Sequence, residues 1–138
     1  MSVHDNNQSW WAQALAVTLG ALALAMAATA VPAQSGEVRM LVQSSLLAGF
    51  QYYQGGRLWD EIKVGDPLTL MREPDNPHDS NAVRVEWQGH KLGYVPRREN
   101  QAVARHMDSG GRVEARVSKL TLHRNPRQRI EFEVFVKL

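Results

Sequence analysis

Arg72-Glu73-Pro74-Asp75-Asn76-Pro77-His78-Asp79-Ser80-Asn81-Ala82-Val83-Arg84-Val85 changes character at its middle. Residues 72–81 carry turn chemistry: two prolines fix φ, and Asp and Asn side chains can cap their own backbone. From Ala82 to Trp87 the chain alternates as a half-buried strand does. A stiff polar loop feeding a strand can hold a carboxylate, an amide and an imidazole in fixed relation. Upstream stand Gly49-Phe50-Gln51-Tyr52-Tyr53 and Gly65-Asp66-Pro67-Leu68-Thr69-Leu70-Met71; downstream stands Leu92-Gly93-Tyr94-Val95-Pro96.

Short strands dominate the chain around this loop. Val38, Met40 and Val42 alternate with Arg39 and Leu41 as an opening strand, and Pro67 to Met71 follows the Gly65-Asp66 turn. Ala82–Trp87 and Lys91–Val95 read as a hairpin around Gln88-Gly89-His90. Two more alternating runs cover Val113–Val117 and Ile130–Val136. Arg98 to Met107 reads as a short helix stopped by Gly110 and Gly111, and a helical turn is expected near Ser44 to Ala48. Strands at this spacing with one or two short helices predict a mainly β fold, a small OB-like β-barrel. No internal repeat or low-complexity linker interrupts the chain after residue 37.

In order and spacing these pieces resemble the HIRAN domain, over about residues 38–137. The core Glu73-Pro74-Asp75-Asn76-Pro77-His78-Asp79-Ser80-Asn81-Ala82 is long and specific. The resemblance implies a compact barrel and a module that binds DNA without chemistry of its own. In larger proteins HIRAN accompanies helicase motors, and no motor is present in this sequence.

The first part of the chain reads differently. No Lys or Arg occurs before Arg39, and the only acid before Glu37 is Asp5. Residues 14–31 are apolar apart from two threonines and carry no charge. Val31 and Ala33 flank a possible cut, so the first reading is a signal peptide over 1–33, an exported or periplasmic protein, and a mature domain over 34–138. A retained anchor associating with a membrane through residues 14–31 is the second, because a run this long is near the minimum that spans a bilayer. A buried helix is the third, and a mis-assigned start would leave the protein cytoplasmic. Met1 to Gln13 lacks the positive segment that precedes most export signals.

Composition is that of an ordinary globular domain, 43% hydrophobic and 22% charged with a net charge of +2. The charge is segregated along the chain. Residues 37–83 carry four basic and seven acidic groups, while 84–129 carry eleven basic and four acidic. Either surface charge scatters this way, or a basic face tracks a polyanion backbone.

Asp79 leads the candidate site. Its carboxylate either caps the Asn81 or Ala82 amide or accepts a hydrogen bond from a sugar hydroxyl, and both roles can coexist. The resemblance implies the second, because the family's DNA-binding member holds the free 3′ end of single-stranded DNA at this loop. Asn76 and His78 flank it, as an amide able to read a base edge and a flat ring on which a base can stack, or as loop caps. The described binder has tyrosine where this chain has His78, and arginine where it has Gln51, which weakens or moves a phosphate contact. Tyr52 and Tyr53, read as an extended segment, should point to opposite faces, one inward and one open. Arg124 and Arg127, in the turn-forming stretch Lys119–Arg129, should reach phosphates together with Arg97 and Arg98 at the helix start, or simply face solvent.

Cysteine is absent, which removes disulfides, thiolate metal sites and a cysteine nucleophile. The five histidines include no pair at metal-ligand spacing. There is no phosphate loop, Gly-x-Ser-x-Gly elbow or paired-glycine nucleotide motif. The expected function is thus a non-catalytic module for single-stranded DNA or another polyanion, with no cofactor and no metal. The competing expectation is an exported envelope module that offers the same cleft to a different ligand or a protein partner.

Overall fold

A computed structural model describes residues 36–138. The apolar run 14–31 and the proposed cut after Ala33 lie outside the described residues. Six strands and two short helices follow in the order β1 (Arg39–Leu46), α1 (Gly55–Leu58), β2 (Pro67–Arg72), β3 (Val83–Trp87), β4 (His90–Tyr94), α2 (Asn100–Asp108), β5 (Val113–Leu120) and β6 (Ile130–Lys137). Single 3-10 turns cover Phe50–Tyr52 and Pro126–Gln128. Among the described residues no helix is long and apolar enough to cross a membrane.

Alternation in the sequence becomes alternation of burial. Along β6 Ile130, Phe132, Val134 and Val136 are buried, and Val83, Val85 and Trp87 do the same on β3. β3 and β4 are joined by Gln88-Gly89, with φ of 47° and 79°. Two positive φ values in a two-residue loop match the right-handed twist of the strands they join.

All pairings are antiparallel, in the order β1-β6-β5-β2-β3-β4. The two ends of that order meet. Ala48 N donates to Tyr94 O at 3.0 Å, and Tyr94 N donates to Ala48 O at 2.9 Å, so a single bridge ties the chain just after β1 to the end of β4. The curled sheet is thereby closed into the expected small barrel. Leu47, Phe50, Leu92 and Val117 fill its interior.

Three local expectations are corrected. Ser44 to Ala48 does not form a helical turn: Ser44, Ser45 and Leu46 pair with Glu133, Phe132 and Glu131 of β6. The neighbouring strand satisfies these backbone groups, and a register shift between Leu41 and Gln43 accommodates the longer pairing. Tyr52 and Tyr53 likewise do not divide between two faces of a strand. Gly49, at φ 79°, starts the 3-10 turn instead, and both tyrosines stay on the outside at 73% and 36% exposure. Phe50 is the ring that enters the core. The second helix, expected from Arg98, begins at Asn100, which leaves Arg97 and Arg98 in the turn before it.

The closing bridge leaves no space for a side chain at Gly93. A Cβ there would lie 2.2 Å from the carbonyl oxygen of Ala48 and 3.2 Å from Leu47 Cγ. Gly93→Ala should therefore destabilise the domain by at least about 1–3 kcal/mol, because backbone must move. Gly56→Ala, where a Cβ meets nothing within 4 Å, should leave stability unchanged or slightly raised. Denaturant midpoints of the two variants check this, and equal midpoints would contradict the closure.

Candidate nucleic-acid interface

The loop between β2 and β3 holds its own shape. Its mouth is closed by Glu73 N donating to Ala82 O at 3.0 Å. Asn76 N donates to Glu73 O, Asp79 N to Asn76 O, and Ala82 N to Asp79 O, a chain of tight turns. Side chains reinforce them: His78 N donates to Asn76 Oδ1 and Asn81 N to Asp79 Oδ1, both at 2.9 Å. The capping role expected for Asp79 is thus present at Asn81.

Two residues fasten the loop to the barrel. Arg72 donates to the carbonyls of Ala82 at 2.7 Å and Ser80 at 3.0 Å, and forks onto Asp108 of α2 at 2.8 and 3.0 Å. This ion pair holds the Asp108 carboxyl below its ordinary pKa and raises that of the Arg72 guanidinium. From the start of α2, Asn100 donates Nδ2 to Asp79 Oδ2 at 2.7 Å. Asn100 is 2% exposed, so its amide is fixed in place. Each Asp79 oxygen therefore accepts one intramolecular hydrogen bond. Each also keeps an acceptor position, since a carboxylate oxygen has two.

Beneath the loop lies a second network. Tyr94 OH donates to Glu73 Oε2 at 2.8 Å and accepts from Lys91 Nζ at 2.6 Å. Lys91 Nζ sits 4.2 Å from the centre of the Tyr53 ring and 4.4 Å from that of Tyr94. Burial alone would raise the Glu73 carboxyl, but hydrogen bonds from Asn76 and Tyr94 and the charges of Lys91 and Arg84 hold it below its usual value. Burial likewise opposes the Lys91 charge and is outweighed by Tyr94, Tyr53 and Glu73, which raise its pKa. The Tyr94 hydroxyl is raised, first by burial.

Three adjoining clefts open above this base. One of about 470 Å³ is lined by Asn76, His78, Asp79, Arg97, Arg98 and Asn100 among others. A smaller one, about 240 Å³, adds Tyr53 and Tyr94 to Asn76, His78, Asp79 and Arg97. The third, about 790 Å³, is lined by Gln51, Tyr52, Arg97, Arg98 and Arg127, together with Ser44, Ser45, Glu99 and Glu131. Arg97 lines all three.

The fold thus gathers nine of the ten residues singled out from sequence: Gln51, Tyr52, Tyr53, Asn76, His78, Asp79, Arg97, Arg98 and Arg127. Arg124 lines none of the clefts and is exposed in the bend before Asn125. Among the described residues Arg97, Arg98, Arg124 and Arg127 make no ion pair. Nor does any group of His, Asp and Glu there have the arrangement to hold a metal ion. Sequence reasoning missed Arg72, Glu73, Lys91, Tyr94 and Asn100. Arg72 and Glu73 lie in the deciding stretch itself, but Asn100 carries no local signal.

Comparison with known proteins agrees with this architecture. The model of the HIRAN domain family matches residues 40–138. Helicase-like transcription factor of Mus musculus is 34% identical over 64 residues, and that of Oryctolagus cuniculus 33% identical over 64. Each match covers 46% of this chain and 6% of the relative, so the chain spans a small part of those proteins. Among solved structures, a protein from Lactobacillus plantarum superposes with a TM-score of 0.64 at 29% identity, over 74% of this chain and 98% of that one. The HIRAN domain of human HLTF gives 0.53 at 22% identity, over 72% and 78%, a likeness of fold. With the family model extending over the whole of the described barrel from Met40, the chain belongs to the HIRAN-domain family.

Proposed function

We propose that this chain is a non-catalytic module for single-stranded DNA that holds the 3′-hydroxyl end at the Asp79 loop. The observation that carries this reading is the convergence on Arg97. One arginine joins a cleft walled by a doubly anchored carboxylate to a cleft walled by an exposed tyrosine and further arginines. A strand end needs these three things together: an acceptor for the terminal hydroxyl, cations for the phosphates, and a flat face for a base. The family's DNA-binding member, which this loop resembles, supports the same assignment. His78 offers the planar face where that binder has tyrosine.

Salt dependence tests the phosphate contacts. With Arg97, Arg98 and Arg127 each meeting one phosphate, the slope of log K against log salt should be about −2, at roughly 0.7 per contact for a single strand. Arg97→Ala combined with Arg98→Ala should flatten the slope to about −0.7. Arg124→Ala should leave it unchanged, since Arg124 lies outside the clefts. A slope insensitive to the first pair of substitutions would remove this face from the site.

The strand end tests Asp79. A 3′-phosphate brings a second anion beside the carboxylate and removes the hydroxyl donor. Oligonucleotides with 3′-phosphate should therefore bind about tenfold to a hundredfold more weakly than those with 3′-hydroxyl, the worth of one charge-assisted hydrogen bond. Asp79→Asn keeps an oxygen to cap Asn81 yet lifts the repulsion, so it should erase most of that difference. Tyr52→Ala should weaken both ligands alike, by about 1–3 kcal/mol of stacking. Equal binding of the two ends by the unmutated chain would reduce this loop to a well-capped turn.

A further inference from the structure

The largest cleft holds two carboxylates that end binding does not use. Glu99 and Glu131 line it together with Tyr52, Arg97, Arg98 and Arg127. Each glutamate is fixed through one oxygen by a serine of β1. Ser45 Oγ donates to Glu99 Oε2, and Ser44 Oγ donates to Glu131 Oε1 at 3.2 Å. Gln43 Nε2 in turn donates to Ser45 Oγ at 2.7 Å, which orients that hydroxyl. Among the described residues, Glu99 Oε1 and Glu131 Oε2 accept no hydrogen bond.

Two oriented carboxylates in a cleft rimmed by three arginines sort a nucleotide by its parts. Phosphates are drawn to the rim and repelled from the carboxylates. A carboxylate accepts from N–H groups, and the N–H groups of a nucleotide lie on the base edge. In an unpaired strand that edge is open. We propose that Glu99 and Glu131 read the nucleotide next to the 3′-terminal one, favouring bases with amino donors, guanine above all, over thymine. This inference rests on the single-strand reading above.

The preference follows from the donor patterns. Guanine presents N1–H and N2–H₂ side by side on one edge. Adenine and cytosine each present one amino group beside a ring acceptor. Thymine has a single N–H flanked by two carbonyl oxygens, which oppose the carboxylate. The position follows from shared walls: Arg97 and Arg98 line both this cleft and the one containing Asp79. A strand ending at Asp79 thus has a path along Arg97 and Arg98 into the larger cleft, where the proposal places its second nucleotide. Tyr52 there is 73% exposed and offers its ring to the same base.

The test uses the full chain and four 3′-hydroxyl oligonucleotides that differ only in the second base from the 3′ end, with affinities from fluorescence anisotropy. Guanine should bind about tenfold more tightly than thymine, with adenine and cytosine between. In the double variant Glu99→Gln, Glu131→Gln, each amide keeps an oxygen for its serine and gains a donor suited to a thymine carbonyl. The ratio should then shrink to about twofold or less. Equal affinity for all four by the unmutated chain overturns the base reading and leaves end binding standing. A preference that survives in the double variant overturns the assignment to these glutamates. Failure of every oligonucleotide to bind overturns end binding, and this inference with it.

Discussion

One backbone bridge decides where everything else lies. The paired hydrogen bonds between Ala48 and Tyr94 close the sheet, and the two chain segments that leave this seam both run into the clefts. On one side follow Gly49, Gln51, Tyr52 and Tyr53; on the other follow Val95, Pro96, Arg97 and Arg98. Without the seam these segments belong to opposite ends of the strand order. Two backbone hydrogen bonds are worth only about 1 kcal/mol each, so the closure depends on what surrounds it. Leu47, buried beside Ala48, and Phe50, buried just beyond, fill the barrel interior under the seam. Gly93 permits the close approach of the backbones.

The site combines charges that oppose one another. Asp79 lies among the arginines of the clefts, and its carboxylate is held by hydrogen bonds from Asn81 and Asn100 instead of by an ion pair. Had Arg97 been bound to Asp79, neither would remain for a ligand. The ion pairs among the described residues use no side chain that lines these clefts; those nearest the loop are Arg72 with Asp108, and Arg84 with Glu73 and Glu86. These hold the framework and leave the cleft's arginines uncommitted. Among the described residues these cations have no ion-pair partner that a polyanion would have to displace.

Legibility in the sequence follows how local each determinant is. β3 and β6 are readable because their period of two is carried by consecutive residues, and Gln88-Gly89 marks the turn that leads from β3 into β4. The 72–81 loop is readable for a similar reason: its Asp, Asn and Pro residues cap within a few positions, as Asp79 does to Asn81. Tyr52 and Tyr53 fail that test. Their conformation follows from Gly49 turning left-handed beside the seam, a tertiary consequence with no periodic signal. Ser44 to Leu46 fails likewise, since β6 recruits it across more than eighty residues. Asn100 is the clearest case, because its partner stands 21 residues away and nothing near it in sequence predicts the contact.

That distant contact explains how a surface loop can act as a site. A loop free to rearrange would have to be ordered when the ligand arrives, at about 1–2 kcal/mol per residue fixed. Here the loop is already fixed from three directions. Its own turns close its mouth, Arg72 grips two of its carbonyls, and buried Asn100 pins the Asp79 carboxylate to the first turn of α2. The exposed end of the loop thereby inherits the rigidity of the barrel, which is the condition that the proposed discrimination of strand ends by one carboxylate requires. The arginines in the turn before α2 share that support through the same helix, so Arg97, Arg98 and the Asp79 carboxylate are held by one framework.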